Sequence, residues 1–64
     1  MENKIFDLRK ALKMTQPQLA EKVGVAYTQI QDYEHNRRIP SLDTAIRLAR
    51  ALNTTVECLF VLDD

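Results

Sequence analysis

The side chains best equipped for chemistry fall in one stretch, from Tyr27 to Arg38. Its two carboxylates, Asp32 and Glu34, do not make an acid–base pair, because residues two apart on a helix point to different faces. No Ser/His/Asp set or glycine-rich phosphate loop accompanies them: the chain has one histidine, His35, and one glycine, Gly24. An enzyme is not expected. Metal binding fares no better, since His35 and Cys58 are the only softer ligands, against the four that a structural zinc normally takes. No metal and no cofactor are expected. Hydrogen bonding is what remains. Thr28, Gln29 and Gln31 carry donors and acceptors on short or neutral stems, and His35, Asn36, Arg37 and Arg38 follow at once.

Five helices must hold that stretch in place. The first is predicted from about Lys4 to Leu12, with Ile5, Leu8, Ala11 and Leu12 inward. The second opens at Thr15-Gln16-Pro17-Gln18, which has a capping threonine, a proline in the first turn and a glutamine to complete a capping box. It runs through Leu19, Ala20 and Val23 and stops at Gly24, which can take the left-handed conformation. Only Val25 and Ala26 precede the third helix, where Ile30 and Tyr33 face inward while Tyr27, Thr28, Gln29, Gln31 and Asp32 face out. Asn36 is the expected left-handed residue at its end. Ser41 caps the fourth helix, whose inner stripe is read as Leu42, Ala45, Ile46, Ala49 and Leu52. Asn53 ends it. Thr54 or Thr55 caps a short fifth helix with Val56, Leu59 and Phe60 inward.

Sixty-four residues make one domain, 1–64, with a small core. Such a chain buries only about 60% of its unfolded surface. A lone cysteine gives no internal disulfide, so tight helix packing or oligomerisation must supplement that core. No run approaches the ~18 apolar residues of a membrane span, and the first residues lack the apolar run of a signal peptide. A reduced, cytoplasmic setting is expected. One glycine and two prolines argue against an all-β chain, which needs many turns. The net charge is zero, unlike that of most nucleic-acid binders, although residues 1–24 hold five basic and three acidic side chains and residues 41–64 two basic and four acidic. The apolar tail suggests a two-fold homodimer through residues about 55–62, with Cys58, Leu59, Phe60, Val61 and Leu62 in contact and Asp63 and Asp64 fraying. Cys58 reads either as a redox sensor or as a core or interface residue.

Two short helices joined by so tight a turn project steeply from a core. A polar helix face of this kind fits the major groove of B-DNA, where glutamine suits adenine and a threonine methyl can meet that of thymine. The same face also reads as plain solvated surface. Thr15-Gln16-x-x-Leu19-Ala20-x-x-x-Gly24-Val25, then Ile30, Tyr33-Glu34 and Arg38-x-Pro40-Ser41, resembles the Cro/repressor-type helix-turn-helix family of phage and bacterial regulators, the XRE family. The likeness continues through Leu48-Ala49-x-x-Leu52 and Glu57-x-Leu59-Phe60, nearly the whole chain. It implies an all-α, compact five-helix, lambda-repressor-like domain with its helix-turn-helix unit at about residues 16–36. It places Gln16 against a DNA phosphate, with a second role bracing the reading helix. Tyr27, Thr28, Gln29 and Asp32 match positions that contact bases or flanking phosphates, and His35, Asn36, Arg37 and Arg38 match those that grip the backbone. Arg9 and Glu34 match an ion pair tying the first helix to the end of the third. Relatives of this length commonly dimerise and bind palindromic operators, with reading helices about 34 Å apart.

Three positions depart from the family pattern. Ala26 replaces a capping serine, a loss of about 1 kcal/mol. Asn36 replaces a glycine. Asp32 sets a carboxylate toward the groove and admits three readings: it accepts from cytosine N4, it pairs with a nearby basic side chain, or DNA binding is weak. His35 reads as a pH sensor, a phosphate grip or a solvated loop residue, and Tyr27 as a stacking residue or a phosphate contact. Two functions follow. One is a dimeric, sequence-specific regulator of double-stranded DNA, expected to repress because 64 residues leave no second domain. The other is a protein-binding module, an antitoxin or adaptor on the same fold, which the neutral charge and Asp32 favour.

Overall fold

The computed structural model describes residues 1–62; the expected fraying of Asp63 and Asp64 lies outside the described residues. Strand β1 (Glu2–Asn3) precedes helices α1 (Ile5–Ala11), α2 (Gln16–Val23), α3 (Tyr27–Glu34), α4 (Leu42–Ala51) and α5 (Val56–Leu59), and strand β2 (Phe60–Val61) follows them. The protein is an all-α, five-helix domain whose ends are tied by this one small ribbon. The strands pair antiparallel, Glu2 opposite Val61 and Asn3 opposite Phe60. Among the described residues no helix is long and apolar enough to cross a membrane.

Local chemistry sets the helix ends. The Gln18 backbone N–H donates to Thr15 Oγ1 (3.2 Å) and the Thr15 N–H to Gln18 Oε1 (2.8 Å), so both halves of the capping box start α2. Gly24 ends it at φ +84°, a conformation that costs a residue with a Cβ free energy. Asn36 takes φ +58° after α3, as asparagine tolerates. Lys13 (φ +58°) and Asn53 (φ +56°) do the same after α1 and α4. Ser41 caps α4 through the Thr44 N–H (3.3 Å), and Thr55 rather than Thr54 caps α5 through the Cys58 N–H (3.1 Å).

Ile5, Leu19, Ile30, Leu48 and Leu59 are fully buried at the centre, with Ala20, Val23, Tyr33, Ala49 and Leu52 around them. Four residues expected inward are not. α1 stops at Ala11, before its second full turn, so Ala11 and Leu12 lie exposed and Arg9 takes the inner position beside Ile5. In α4 the 3.6-residue turn centres the buried stripe on Ala45, Leu48, Ala49 and Leu52. Leu42 and Ile46 are left along its edge, 73% and 37% exposed.

The tail also differs from expectation. Leu59, expected at a dimer contact, is enclosed by its own chain, and its carbonyl accepts from the Lys4 N–H at 2.9 Å. It has no surface to offer a partner. Val61 finds a place in β2, Phe60 is half-buried against the core, and Cys58 and Leu62 are exposed.

Candidate nucleic-acid interface

α3 is two turns long and packs chiefly on α2, with a smaller contact to α1. Ile30 and Tyr33 anchor its inner side. At 3.6 residues per turn Thr28, Asp32 and His35 then fall on the opposite side, with Tyr27 and Gln31 flanking them. Ala26 has no side chain with which to cap the helix. Half of the cap survives, because the Ala26 N–H donates to Gln29 Oε1 at 3.0 Å. This draws Gln29, expected to face out, partly into the fold.

The outer side chains are organised among themselves. Gln31 Nε2 donates to the Tyr27 hydroxyl at 3.0 Å, one turn away. Arg37 Nε donates to Asp32 Oδ1 at 3.0 Å, and Arg38 Nε lies 4.0 Å from Asp32 Oδ2. The Arg37 backbone N–H also returns to the Asp32 carbonyl, at 2.8 Å. His35 and Asn36 are exposed in the turn between these groups.

Beneath α3 lies a buried ionic knot. Arg9 donates from Nε to Glu34 Oε2 (2.7 Å), from Nη2 to Glu34 Oε1 (3.2 Å) and from Nη1 to the Met14 carbonyl (3.0 Å). Gln16 Nε2 adds a bond to Glu34 Oε1 at 3.0 Å. The side chains of Arg9 and Glu34 are only 8% and 4% exposed. Removed from water, such charges need hydrogen-bond partners as well as each other, and Glu34 has three donors on its two oxygens. The knot ties α1, the start of α2 and the end of α3 into one unit.

Sequence reasoning missed three contributors. Asn3 Nδ2 donates to the Tyr33 carbonyl (2.9 Å) and to Asn36 Oδ1 (3.2 Å), while its Oδ1 accepts from the Ile5 N–H (3.1 Å). An asparagine just before a helix signals the last bond alone; the first two span 30 and 33 residues. Lys10 and Lys13 join Gln16 along an open cleft at the start of α2. Their placement depends on the left-handed turn at Lys13, which no local residue announced.

A model of the family described as helix-turn-helix matches residues 5–57. An HTH-type transcriptional regulator of Archaeoglobus fulgidus is 41% identical over all 64 residues of this chain and 91% of its own length. The immunity repressor protein of Bacillus phage phi105 is 39% identical over 88% of this chain and 39% of its own. The crystal structure of the restriction-modification controller protein C.AhdI from Aeromonas hydrophila superposes with a TM-score of 0.83 at 30% identity, covering 89% of this chain and 86% of that one. That of SinR, a master regulator for biofilm formation in complex with DNA, gives 0.77 at 30% identity over 83% and 86%. The helix pair, its turn and the chain around them thus match that family throughout, and the protein belongs to the XRE-type helix-turn-helix family of DNA-binding transcriptional regulators.

Proposed function

We propose that the protein is a repressor that reads the major groove of double-stranded DNA with α3, as a homodimer on a palindromic operator. The observation that carries this reading is the two-sided character of α3. Its outer side presents Thr28, Asp32, Tyr27 and Gln31, while its inner end is locked by the Arg9–Glu34–Gln16 knot. A reading helix needs that rigidity, since base-edge hydrogen bonds tolerate little misplacement. Arg37, Arg38, His35 and Asn36 at its end, and Gln16, Lys10 and Lys13 at the start of α2, supply donors for flanking phosphates. Repression is the polarity suggested by the phage immunity repressor among its relatives.

Pairing of two copies has its own support. Val61, Leu62, Ile39, Leu42 and Ile46 all leave apolar surface exposed, and Cys58 and Phe60 adjoin the tail. The direct experiment is binding to mixed-sequence duplex DNA, followed by fluorescence anisotropy at two salt concentrations. A protein that neutralises phosphates weakens steeply as salt rises, because bound counterions are released. Absence of binding at low salt sinks the proposal and favours the protein-binding alternative.

A further inference from the structure

We infer that Asp32 selects a cytosine in the major groove, and that Arg37 and Arg38 make a carboxylate workable at that place. The inference rests on the DNA-reading role of α3 and names the base that one of its residues chooses. Asp32 stands one turn after Thr28 on the outer side of the helix, opposite the buried Ile30 and Tyr33. Its side chain is 31% exposed, held by Arg37 Nε at 3.0 Å with Arg38 Nε at 4.0 Å.

The chemistry of a carboxylate then narrows the choice. Ionised, it only accepts hydrogen bonds. In the major groove guanine presents two acceptors and thymine an acceptor with a methyl group, so both are disfavoured. Adenine sets its N6 donor beside the N7 acceptor, whereas cytosine presents the N4 donor alone. Guanine and thymine are therefore rejected, adenine is disfavoured by the acceptor beside its donor, and cytosine is preferred.

A bare carboxylate near DNA is also repelled by the phosphates. Two guanidiniums beside Asp32 turn the local charge from negative to net positive. Arg37 spends one of its five N–H donors on Asp32, and its side chain is otherwise largely exposed. A backbone phosphate is the natural acceptor. The pair can thus read a base with one member and grip the strand with the other.

The competing role for Asp32 is merely to hold Arg37 in position. Selection of bound duplexes from a random pool, by the full chain and by Asp32→Ala, Asp32→Asn and Arg37→Gln, separates the two. Circular dichroism on each variant verifies the fold. The unaltered protein is expected to enrich cytosine at one fixed position per half-site, and replacing that base should weaken binding roughly five- to 100-fold. Asp32→Ala should lose the preference there and keep the rest of the site. Asp32→Asn, which adds a donor, should admit adenine beside cytosine. Arg37→Gln should weaken binding to all duplexes alike and leave the preferred sequence unchanged. The same enriched sequence for the unaltered protein and Asp32→Ala, or one uniform loss in both Asp32→Ala and Arg37→Gln, overturns the inference. If the unaltered protein enriches no duplex at all, it is the DNA-reading role of α3 that has failed, and this inference falls with it.

Discussion

Among the described residues Arg9 is the one arginine whose side chain is buried, and it is also the hub of the candidate site. Its bonds to Glu34 and to the Met14 carbonyl engage all three guanidinium nitrogens, and the Phe6 ring lies 5.3 Å away. Truncating either partner leaves the other buried without compensation, at a cost of about 3–5 kcal/mol. A domain of this length has only roughly 3–10 kcal/mol in total. Arg9→Ala and Glu34→Ala are therefore expected to lose about a third or more of the total stability, read by urea denaturation followed by circular dichroism. Replacing both by apolar residues of similar size should cost far less than either truncation. Equal losses in the double and single variants would show that packing, not charge, is at stake there. The exposed pair Arg47–Asp43 (2.9 Å) makes the contrast, because side chains with half or more of their surface in water contribute little by pairing.

At the scale of elements, the weak point is the start of α3. Thr15, Ser41 and Thr55 each cap a helix with a side-chain oxygen, whereas Ala26 offers none and relies on Gln29 alone. Ala26→Ser is expected to complete the capping box and add about 1 kcal/mol, a rise in melting temperature of about 4–8 °C for a domain this small. A melting curve no higher than that of the unaltered protein would mean that the Gln29 bond already fixes this terminus. These caps, with Gly24 and Asn36, were legible because each is a local event written in one to four residues. The inner stripes were legible only in part. Ala45, Ala49 and Leu52 fit the helical period, but so did Leu42 and Ile46, and the period alone cannot say which side of a wide apolar arc meets the core. The β1–β2 ribbon and the bonds from Asn3 to the end of α3 were illegible for the opposite reason. Their partners lie about 30 or more residues apart, so no window of sequence holds both. The candidate site divides the same way. The outer row of α3 could be read from spacing, and the Arg9–Glu34 pair from family likeness. Pairing of Asp32 with a nearby basic side chain was one of its three readings in the sequence, but that the partner is Arg37 depends on how the chain leaves the helix, which only the fold defines.

For the whole molecule the question is what the surplus apolar surface serves. The radius of gyration is 10.4 Å, about what a single compact domain of this length should have, and its core closes within one chain. Yet Ile39, Leu42 and Leu62 are each about three-quarters exposed, and such groups tend to mark a contact when they lie together. Leu42 and Ile46 form a continuous edge along α4, one turn apart. A two-fold contact is self-complementary, so one substitution there acts twice in the assembly. At tens of micromolar, light scattering should give the unaltered protein twice the 7.4 kDa of one chain. Leu42→Asp and Leu62→Asp each place a charge on an exposed site and should leave the helical content intact. If the α4 edge is the contact, Leu42→Asp gives a single-chain mass and reduces palindromic DNA binding to that of one half-site. If the tail is the contact, Leu62→Asp does so instead. A single-chain mass for the unaltered protein removes the homodimer from the proposal while leaving α3 as its reader, because the ionic knot that holds α3 lies wholly within one chain.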